Sequence, residues 1–208
     1  PVAIVQWIGN AANVSQVVTI TLVAVANGAN LTATLNGGVI SYVCTGSDTA
    51  TTAATNWLAL LAASTTPPEY QEITFASGGS GIITATAKVA GTPFAGLTGG
   101  FVATASGGAS VTQTTTTANS SQSDAANAQN WLRNGVAALP QDNDDLIVSD
   151  SSVPILWNLG TAQASVRLAS YTRWQSFTAT IGLPQNNPNG YTEWRATYWK
   201  LKGGGVSG

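Results

Sequence analysis

A group of aspartates between residues 142 and 150 is where acidic side chains lie closest together in this sequence. Asp142, Asp144, Asp145 and Asp150 belong to a stretch that begins at Pro140 and leads into a short apolar run. Carboxylate oxygens in such a loop could bind Ca²⁺, and a pair of carboxylates is what glycoside hydrolysis requires. The stretch lacks the regular acidic spacing and the closing Glu of a helix-loop-helix calcium site. We therefore interpret it as a solvated turn, with Asp142, Asp144 and Asp145 as candidates for a Ca²⁺ site.

The chain contains no histidine, and this excludes every mechanism that depends on imidazole. Ser-His-Asp and Cys-His sites are excluded with it, as are most zinc sites. No glycine-rich stretch is followed by Gly-Lys-Ser or Gly-Lys-Thr, so no phosphate-binding loop is predicted. Cys44 is the single cysteine, which we interpret as a small buried side chain in a strand, with an intermolecular disulfide or a reactive thiol as alternatives. We predict a protein that is not an enzyme and that needs no cofactor.

Aromatic residues are the remaining candidates for binding. The chain has seven Trp, five Tyr and four Phe, and most of the Trp lie in its second half. Such side chains pack in a core, anchor a subunit interface or stack on sugar rings. As interface candidates we select Trp7, Trp174, Trp194 and Trp199.

The small number of charged residues is the strongest signal of function class. Charged residues make up 8% of the chain, beside 44% hydrophobic residues, whereas ordinary soluble domains carry about 25% charge. A free monomer needs surface charge to stay dispersed. We therefore expect much of the surface to meet other protein. The net charge of -2 does not suggest the basic stripe that nucleic-acid binding requires. The sequence has no run of about 18 apolar residues, so no membrane span is predicted.

The elements that would position these residues are mostly strands. β-Branched and alternating runs, separated by Asn-Gly and Gly-rich turns, predict them. The predicted strands are residues 14–26, 31–35, 39–45, 70–76, 82–89, 101–105, 146–148, 153–159, 164–168, 176–181 and 192–201. Residues 124–132 are predicted to form a short helical turn.

One stretch has a helical pattern instead. Residues 50–63 place Ala53, Trp57 and Leu61 at the spacing of one helix face. Ser47 or Asp48 is predicted as the N-cap, and the prolines at 67 and 68 end the segment.

The predicted fold class is mainly β with one short helix. We expect a β-sandwich or barrel-like N-terminal domain over residues 14–105, flanked by the helix, and a second β-rich domain over residues 124–208. Residues 1–13 are predicted to be an N-terminal assembly arm. The uncharged, Thr- and Ser-rich residues 106–123 are predicted to be an extended linker, or a β-hairpin arm that adds to the sheet of a neighbouring subunit.

Two segments resemble bacteriophage and prophage virion proteins. Residues 31–94 contain TATLNGGVISYVCTGSDTATTAATNWLALLAAS and ITFASGGSGIITATAKVAGTPF. Their order of hairpin, Gly-x-Asp-Thr helix start, Ala/Leu helix, second hairpin and Gly-Thr-Pro-Phe turn is similar to a small module of phage tail and structural proteins. Residues 130–201, with DDLI, SFTATIGLP and GYTEWRATY, resemble the opening of a right-handed β-solenoid in phage-like proteins.

The resemblance implies a virion structural role and no catalytic residue. We expect a subunit that self-assembles into a phage or phage-derived particle, a tail tube or similar tubular assembly first and a capsid or decoration protein second. Its partners would be copies of itself and other virion proteins. The alternatives are a subunit of an extracellular filament or adhesin and a carbohydrate-binding module. No signal peptide is predicted, so we expect synthesis in a host cytoplasm and residence in the virion; the alternative location is the cell surface.

Overall fold

The computed structural model describes residues 2–94, 100–156, 159, 166, 168–179 and 181. It confirms the predicted fold class, since the described residues are mainly β and one α-helix has both its ends among them. The strands are β1 (Ile4–Trp7), β2 (Val17–Ala24), β3 (Asn30–Leu35), β4 (Gly38–Val43), β5 (Ile73–Gly79), β6 (Ile82–Ala87), β7 (Val102–Ser106), β8 (Ser110–Thr117), β9 (Trp131–Arg133), β10 (Val136–Ala137), β11 (Asp145–Val148) and β12 (Ser170–Arg173). The helix, α1, spans Ala50–Ala63.

The chain divides into two compact units. The first, which we call the sheet-helix unit, is Val14–Asn119 and contains α1 and β2 to β8. The second, which we call the parallel-strand unit, combines the described residues before Val14 with the described residues from Ser120 onward and contains β1 and β9 to β12.

The sheet-helix unit has two antiparallel sheets, with strand orders β5-β6-β2-β8 and β4-β3-β7. Alternate residues of β2, β3 and β6 are fully or almost fully buried, as period-2 patterning predicts for strands with one face on a core. The buried side chains of both sheets join those of α1 in one cluster. Trp57 and Leu61 are the largest contributions of α1 to that cluster.

The N-cap of α1 is Thr49, so the prediction of Ser47 or Asp48 was wrong. The Thr49 hydroxyl accepts a bond from the Thr52 N–H, and the Thr52 hydroxyl accepts one from the Thr49 N–H, which makes a capping box. The Asp48 carboxylate has other partners, because it accepts bonds from the Thr45 N–H and the Tyr42 hydroxyl. Asp48 therefore fixes the loop before the helix instead of capping it.

Most of residues 106–123, the predicted linker or arm, form a strand of the sheet-helix unit, because β8 spans Ser110–Thr117 and that unit ends at Asn119. Gly107 and Gly108, both with positive φ, turn the chain from β7 into β8, which pairs along β2 of the same unit. Gln113 of β8 reaches across to β7 and to the residue that precedes β7 through its side chain, and so links the two sheets. Its Oε1 accepts a bond from the Ala103 N–H at 2.6 Å, and its Nε2 donates to the Phe101 carbonyl at 3.1 Å.

The parallel-strand unit contains a five-stranded sheet of order β10-β9-β1-β11-β12. β1 is antiparallel to β9 and parallel to β11. The structure therefore corrects the prediction that residues 1–13 form an assembly arm, because residues 4–7 are an inner strand. Val5 and Trp7 alternate with partly exposed residues and are fully buried, which is the pattern of a strand that covers a core.

Parallel pairing continues from β11 to β12, with Asp145 opposite Ser170, 25 residues later in the chain. Two isolated bridges, at residues 155 and 156, are also parallel. They are all that the structure shows of the strand predicted over 153–159. β12 itself was not predicted, and residues 176–179 of the predicted strand 176–181 are not a strand. The strand predicted over 192–201 and most of the one over 164–168 lie outside the described residues.

The helical turn predicted over residues 124–132 is shorter in the structure, where residues 128–130 form a 3₁₀ turn. No helix in the part of the chain that the structure describes is long and apolar enough to cross a membrane.

Candidate assembly surface

Two aspartates of the predicted cluster, Asp144 and Asp145, bind different groups of the protein. Both oxygens of the Asp144 carboxylate bind the Arg133 guanidinium, at 2.7 and 3.0 Å, and one also accepts the Gln141 N–H. Asp145 accepts a bond from the Ser170 hydroxyl at 2.7 Å. Within the described ranges, no three acidic or cysteine side chains are grouped so that they could hold a metal ion. The described residues therefore show no set of ligands that would support the Ca²⁺ hypothesis for Asp142, Asp144 and Asp145.

Asp144 is a structural anchor instead. Its side chain is 1% exposed. Burial by itself would raise the pKa of this carboxyl, but the Arg133 guanidinium and the Gln141 N–H outweigh burial and hold the pKa below its usual value. The hydrogen bonds to the Asp144 carboxylate, together with its charge, raise the pKa of Arg133. This pair holds together β9 and the loop before β11.

The four tryptophans predicted at interfaces have different positions. Trp7 is fully buried and packs edge-to-face on Trp131, with 4.8 Å between ring centroids, so it is a core residue. Trp174 is 57% exposed. Trp194 and Trp199 lie outside the described residues. Cys44 is buried as predicted, although it follows β4 instead of lying within a strand, and burial raises the pKa of its thiol.

An uncharged surface covers the outer side of the three-stranded sheet, and we call it the valine-threonine face. Because Leu31, Ala33 and Leu35 are buried, the alternate positions of β3 point away from the core, and their neighbours on β4 and β7 share that side. The face consists of Asn30, Thr32, Thr34, Val39, Ser41, Val43, Val102, Thr104 and Ser106.

The valine-threonine face carries apolar side chains in solvent. Val39 is 59% exposed, Val43 57% and Val102 50%. The pairing places Thr34 directly between Val39 and Val102, in one row across the three strands. In the next row the Thr32 and Ser41 hydroxyls lie 3.3 Å apart, within hydrogen-bond distance. The result is a surface of methyl groups with hydroxyls that can donate and accept bonds.

The outer side of the four-stranded sheet has a similar character. Thr84, Thr19 and Thr114 form one row across β6, β2 and β8, and Ile82, Thr21 and Thr112 form the next. On β2 and β6 these side chains alternate with buried residues of the same strand. No strand of the sheet-helix unit contains an Asp, Glu, Lys or Arg.

The few charged residues of the sheet-helix unit lie outside its strands, and most of them are buried or half-buried. They are Asp48, Glu69, Glu72 and Lys88, and Lys88 is the one among them that is exposed. Glu69 is buried and accepts a bond from the Asn36 side-chain amide at 2.9 Å. The Thr45 N–H and the Tyr42 hydroxyl lower the pKa of Asp48. The strands of this unit therefore present no charged side chain to solvent.

The sequence indicated that charged residues are few, but it did not indicate that one sheet face exposes several apolar side chains. The signal was present in β4, where Val39 and Val43 alternate with the half-buried Ile40 and Tyr42. A strand with apolar residues on both faces at the edge of an antiparallel sheet indicates a second contact surface. Neither a protein-family model nor any curated protein sequence matches this chain.

Proposed function

We propose that this protein is a non-enzymatic structural subunit that self-assembles into a phage or phage-derived particle. The observation that carries the proposal is the absence of charged residues from all seven strands of the sheet-helix unit, together with three exposed valines on one sheet face. A dispersed monomer would keep such a face charged. A subunit that is covered by its neighbours has no need of that charge.

The chemistry of the valine-threonine face suits contact between copies. Burial of the Val39, Val43 and Val102 side chains removes apolar area from water, and this is the main favourable term in association. The hydroxyls of Thr32 and Ser41 can exchange partners with hydroxyls opposite them without an ionic group losing its water. Neither side of such a contact has to desolvate a charge.

The size of the face argues for several contacts per subunit. Three strands spaced about 4.8 Å apart and about five residues long cover on the order of 240 Å². A stable protein contact buries about 800 Å² on each partner. One face is therefore too small for an isolated dimer. In a repeating particle each subunit has several neighbours, so the contributions of small contacts on both sheet faces add together.

The resemblance to virion proteins supplies the kind of particle. The structure has hairpin β3-β4, helix α1 and hairpin β5-β6 in the order that the resemblance implied. The parallel pairs around β11 and β12, 25 residues apart, are what successive coils of a solenoid would produce. Both features support a tail tube or a similar tubular assembly as the first candidate, and a capsid or decoration protein as the second.

Electron microscopy of the purified protein over a range of concentrations tests the proposal. We expect ordered particles that grow in number as the protein concentration rises. Tubes or stacked rings would support a tail component, and closed shells would support a capsid protein. Thin, flexible filaments would favour the extracellular appendage instead. A protein that stays monomeric at the highest concentration would contradict self-assembly.

A further inference from the structure

A shallow cleft surrounds the exposed Trp174 in the parallel-strand unit, apart from the sheet faces considered above. Its volume is about 500 Å³. Pockets that hold small molecules have about 300 to 1,000 Å³. The lining residues are Asp150, Thr172, Arg173, Trp174, Gln175 and Ser176.

The backbone on both sides of Trp174 is held by hydrogen bonds. The Trp174 N–H donates to the Val148 carbonyl at 2.9 Å, and the Trp174 carbonyl accepts a bond from the Phe177 N–H at 3.0 Å. Across the cleft, the Asp150 N–H donates to the Ser176 hydroxyl at 3.0 Å. These bonds fix the turn that presents the indole to solvent, so little ordering is required when a ligand arrives.

The Arg173 guanidinium is also held in place. One of its terminal nitrogens donates to the Phe177 carbonyl at 3.0 Å, and its central carbon lies 5.5 Å from the centre of the buried Phe177 ring. A guanidinium has five N–H donors. The bond to Phe177 occupies one of them, and the side chain as a whole is exposed.

We propose that this cleft binds a neutral sugar residue of a glycan. The flat indole of Trp174 offers an apolar surface to the C–H face of a pyranose ring. Around it, the Asp150 carboxylate accepts bonds from sugar hydroxyls, Arg173 donates to sugar oxygens, and the Gln175 amide does both. One carboxylate and one guanidinium leave the cleft without net charge, so it has no preference for an acidic sugar.

The surroundings of Trp174 distinguish this role from that of a subunit contact. Aromatic anchors of protein interfaces lie in well-packed pockets that become fully desolvated. The five other residues that line the cleft are all polar or charged, and all are exposed. Covering them with protein would desolvate Asp150 and Arg173 together. Sugar hydroxyls replace the lost water bonds of such groups.

Binding to the full-length protein can be measured by saturation-transfer difference NMR and by titration. The neutral probes are cellotriose, mannotriose and tri-N-acetylchitotriose, and the acidic probes are trigalacturonic acid and sialyllactose. We expect at least one neutral probe to bind with a dissociation constant on the order of 1 mM, as suits a shallow single-sugar site. The acidic probes should bind no more tightly than the neutral ones.

Three variants connect that binding to the cleft. Trp174→Ala should weaken it by about tenfold or more, whereas Trp174→Phe should restore part of it because the ring stacking is kept. Asp150→Asn should weaken it several-fold, because the positive φ of this residue suits Asn equally well and the charge alone is removed. Val136→Ala, an exposed apolar residue of the same unit, is the control and should change nothing.

Four results would overturn the proposal. They are binding of none of the neutral probes, stronger binding of the acidic probes, binding that Trp174→Ala leaves intact, and loss of particle formation in Trp174→Ala without sugar binding in the parent protein. The last result would assign Trp174 to a subunit contact. The inference does not depend on self-assembly, since a dispersed monomer that binds a neutral probe through Trp174 would support it.

Discussion

The two units of this molecule differ in how many charged side chains their strands and surfaces carry. The parallel-strand unit carries charged residues in its described part, and two of them, Arg133 and Asp144, form an ion pair. The sheet-helix unit has no charge on any of its seven strands and exposes valine and threonine instead. The first is built like a domain that meets water, whereas the second is built like one that meets protein. Under the proposed function, the sheet-helix unit would form the body of the particle.

The cores of the two units also differ, in the size and the number of the side chains that form them. Two tryptophans, Trp7 and Trp131, dominate the described core of the parallel-strand unit and pack edge-to-face. The core of the sheet-helix unit has many small and branched side chains from both sheets, closed by Trp57 of α1. The first core depends on a few large side chains, and the second is spread over many contacts.

The largest expected effect is on the tryptophan core of the parallel-strand unit. Trp7→Ala should lower the free energy of unfolding by about 4 kcal/mol, because it leaves a large cavity against Trp131. Hydrogen exchange measured by mass spectrometry should show the greatest loss of protection in β1, β9 and β11. Trp174→Ala, which removes an exposed ring of the same unit, should cost less than about 0.5 kcal/mol. Equal effects of the two variants would contradict the assignment of Trp7 to the core.

The buried ion pair gives the next largest effect. Asp144→Ala should lower the free energy of unfolding by about 2 kcal/mol at pH 7, because it removes charge-assisted bonds to Arg133 and the Gln141 N–H. Denaturation by urea, followed by circular dichroism, measures this change.

The same variant should show a pH dependence of defined sign. The folded pKa of Asp144 lies below its unfolded value, so its stabilisation is present above about pH 4 and is lost as the pH falls through the folded pKa. The difference in the free energy of unfolding between the parent protein and Asp144→Ala should therefore become smaller as the pH falls. A difference that stays constant from pH 7 to pH 2 would contradict the ionic contribution.

A smaller effect tests how the two sheets of the sheet-helix unit are joined. Gln113→Ala should cost about 1.5 kcal/mol, because the Ala103 N–H and the Phe101 carbonyl both lose a partner. Thr114→Ala, at the neighbouring outward position, is the matched control and should cost much less. Thermal unfolding compares the two variants, and equal midpoints would show that the Gln113 bridge contributes nothing.

The smallest effect concerns the start of α1. Thr49→Ala should cost about 1 kcal/mol, because it removes one half of the capping box. Thr51→Ala, an exposed position in the first turn, should be close to neutral. If Thr51→Ala is as destabilising as Thr49→Ala, the box is not what stabilises the helix end.

The sheet-helix unit could be predicted from sequence to a large extent, because its order depends on local signals. Turns at Asn36-Gly37 and around Gly79 separate runs of clear alternation, and the helix bounds 50–63 follow from the spacing of Trp57 and Leu61. The N-cap was wrong by one residue, since Asp48 is the stronger capping type in isolation but is held by the Tyr42 hydroxyl and the Thr45 N–H.

The parallel-strand unit was harder to predict because its order depends on distant pairing. β1 lies beside β11, about 140 residues further along the chain, and four residues at the N-terminus carry no local sign of that partner. β12 is a short run, Ser-Tyr-Thr-Arg, with little apolar character. The glycan cleft was missed for the same reason, because Asp150 and Trp174 meet through the parallel register of β11 and β12.

Sedimentation velocity of three proteins tests the central claim, that the uncharged sheet faces are contact surfaces. The parent protein is compared with Val39→Lys/Val102→Lys, which places two charges on the valine-threonine face, and with Gln122→Lys/Gln141→Lys, which places two on exposed positions of the parallel-strand unit. We expect large, concentration-dependent species for the parent and the second variant, and a folded, dispersed monomer for the first. Assembly that survives two lysines on the valine-threonine face, or a parent protein that never assembles, would contradict it.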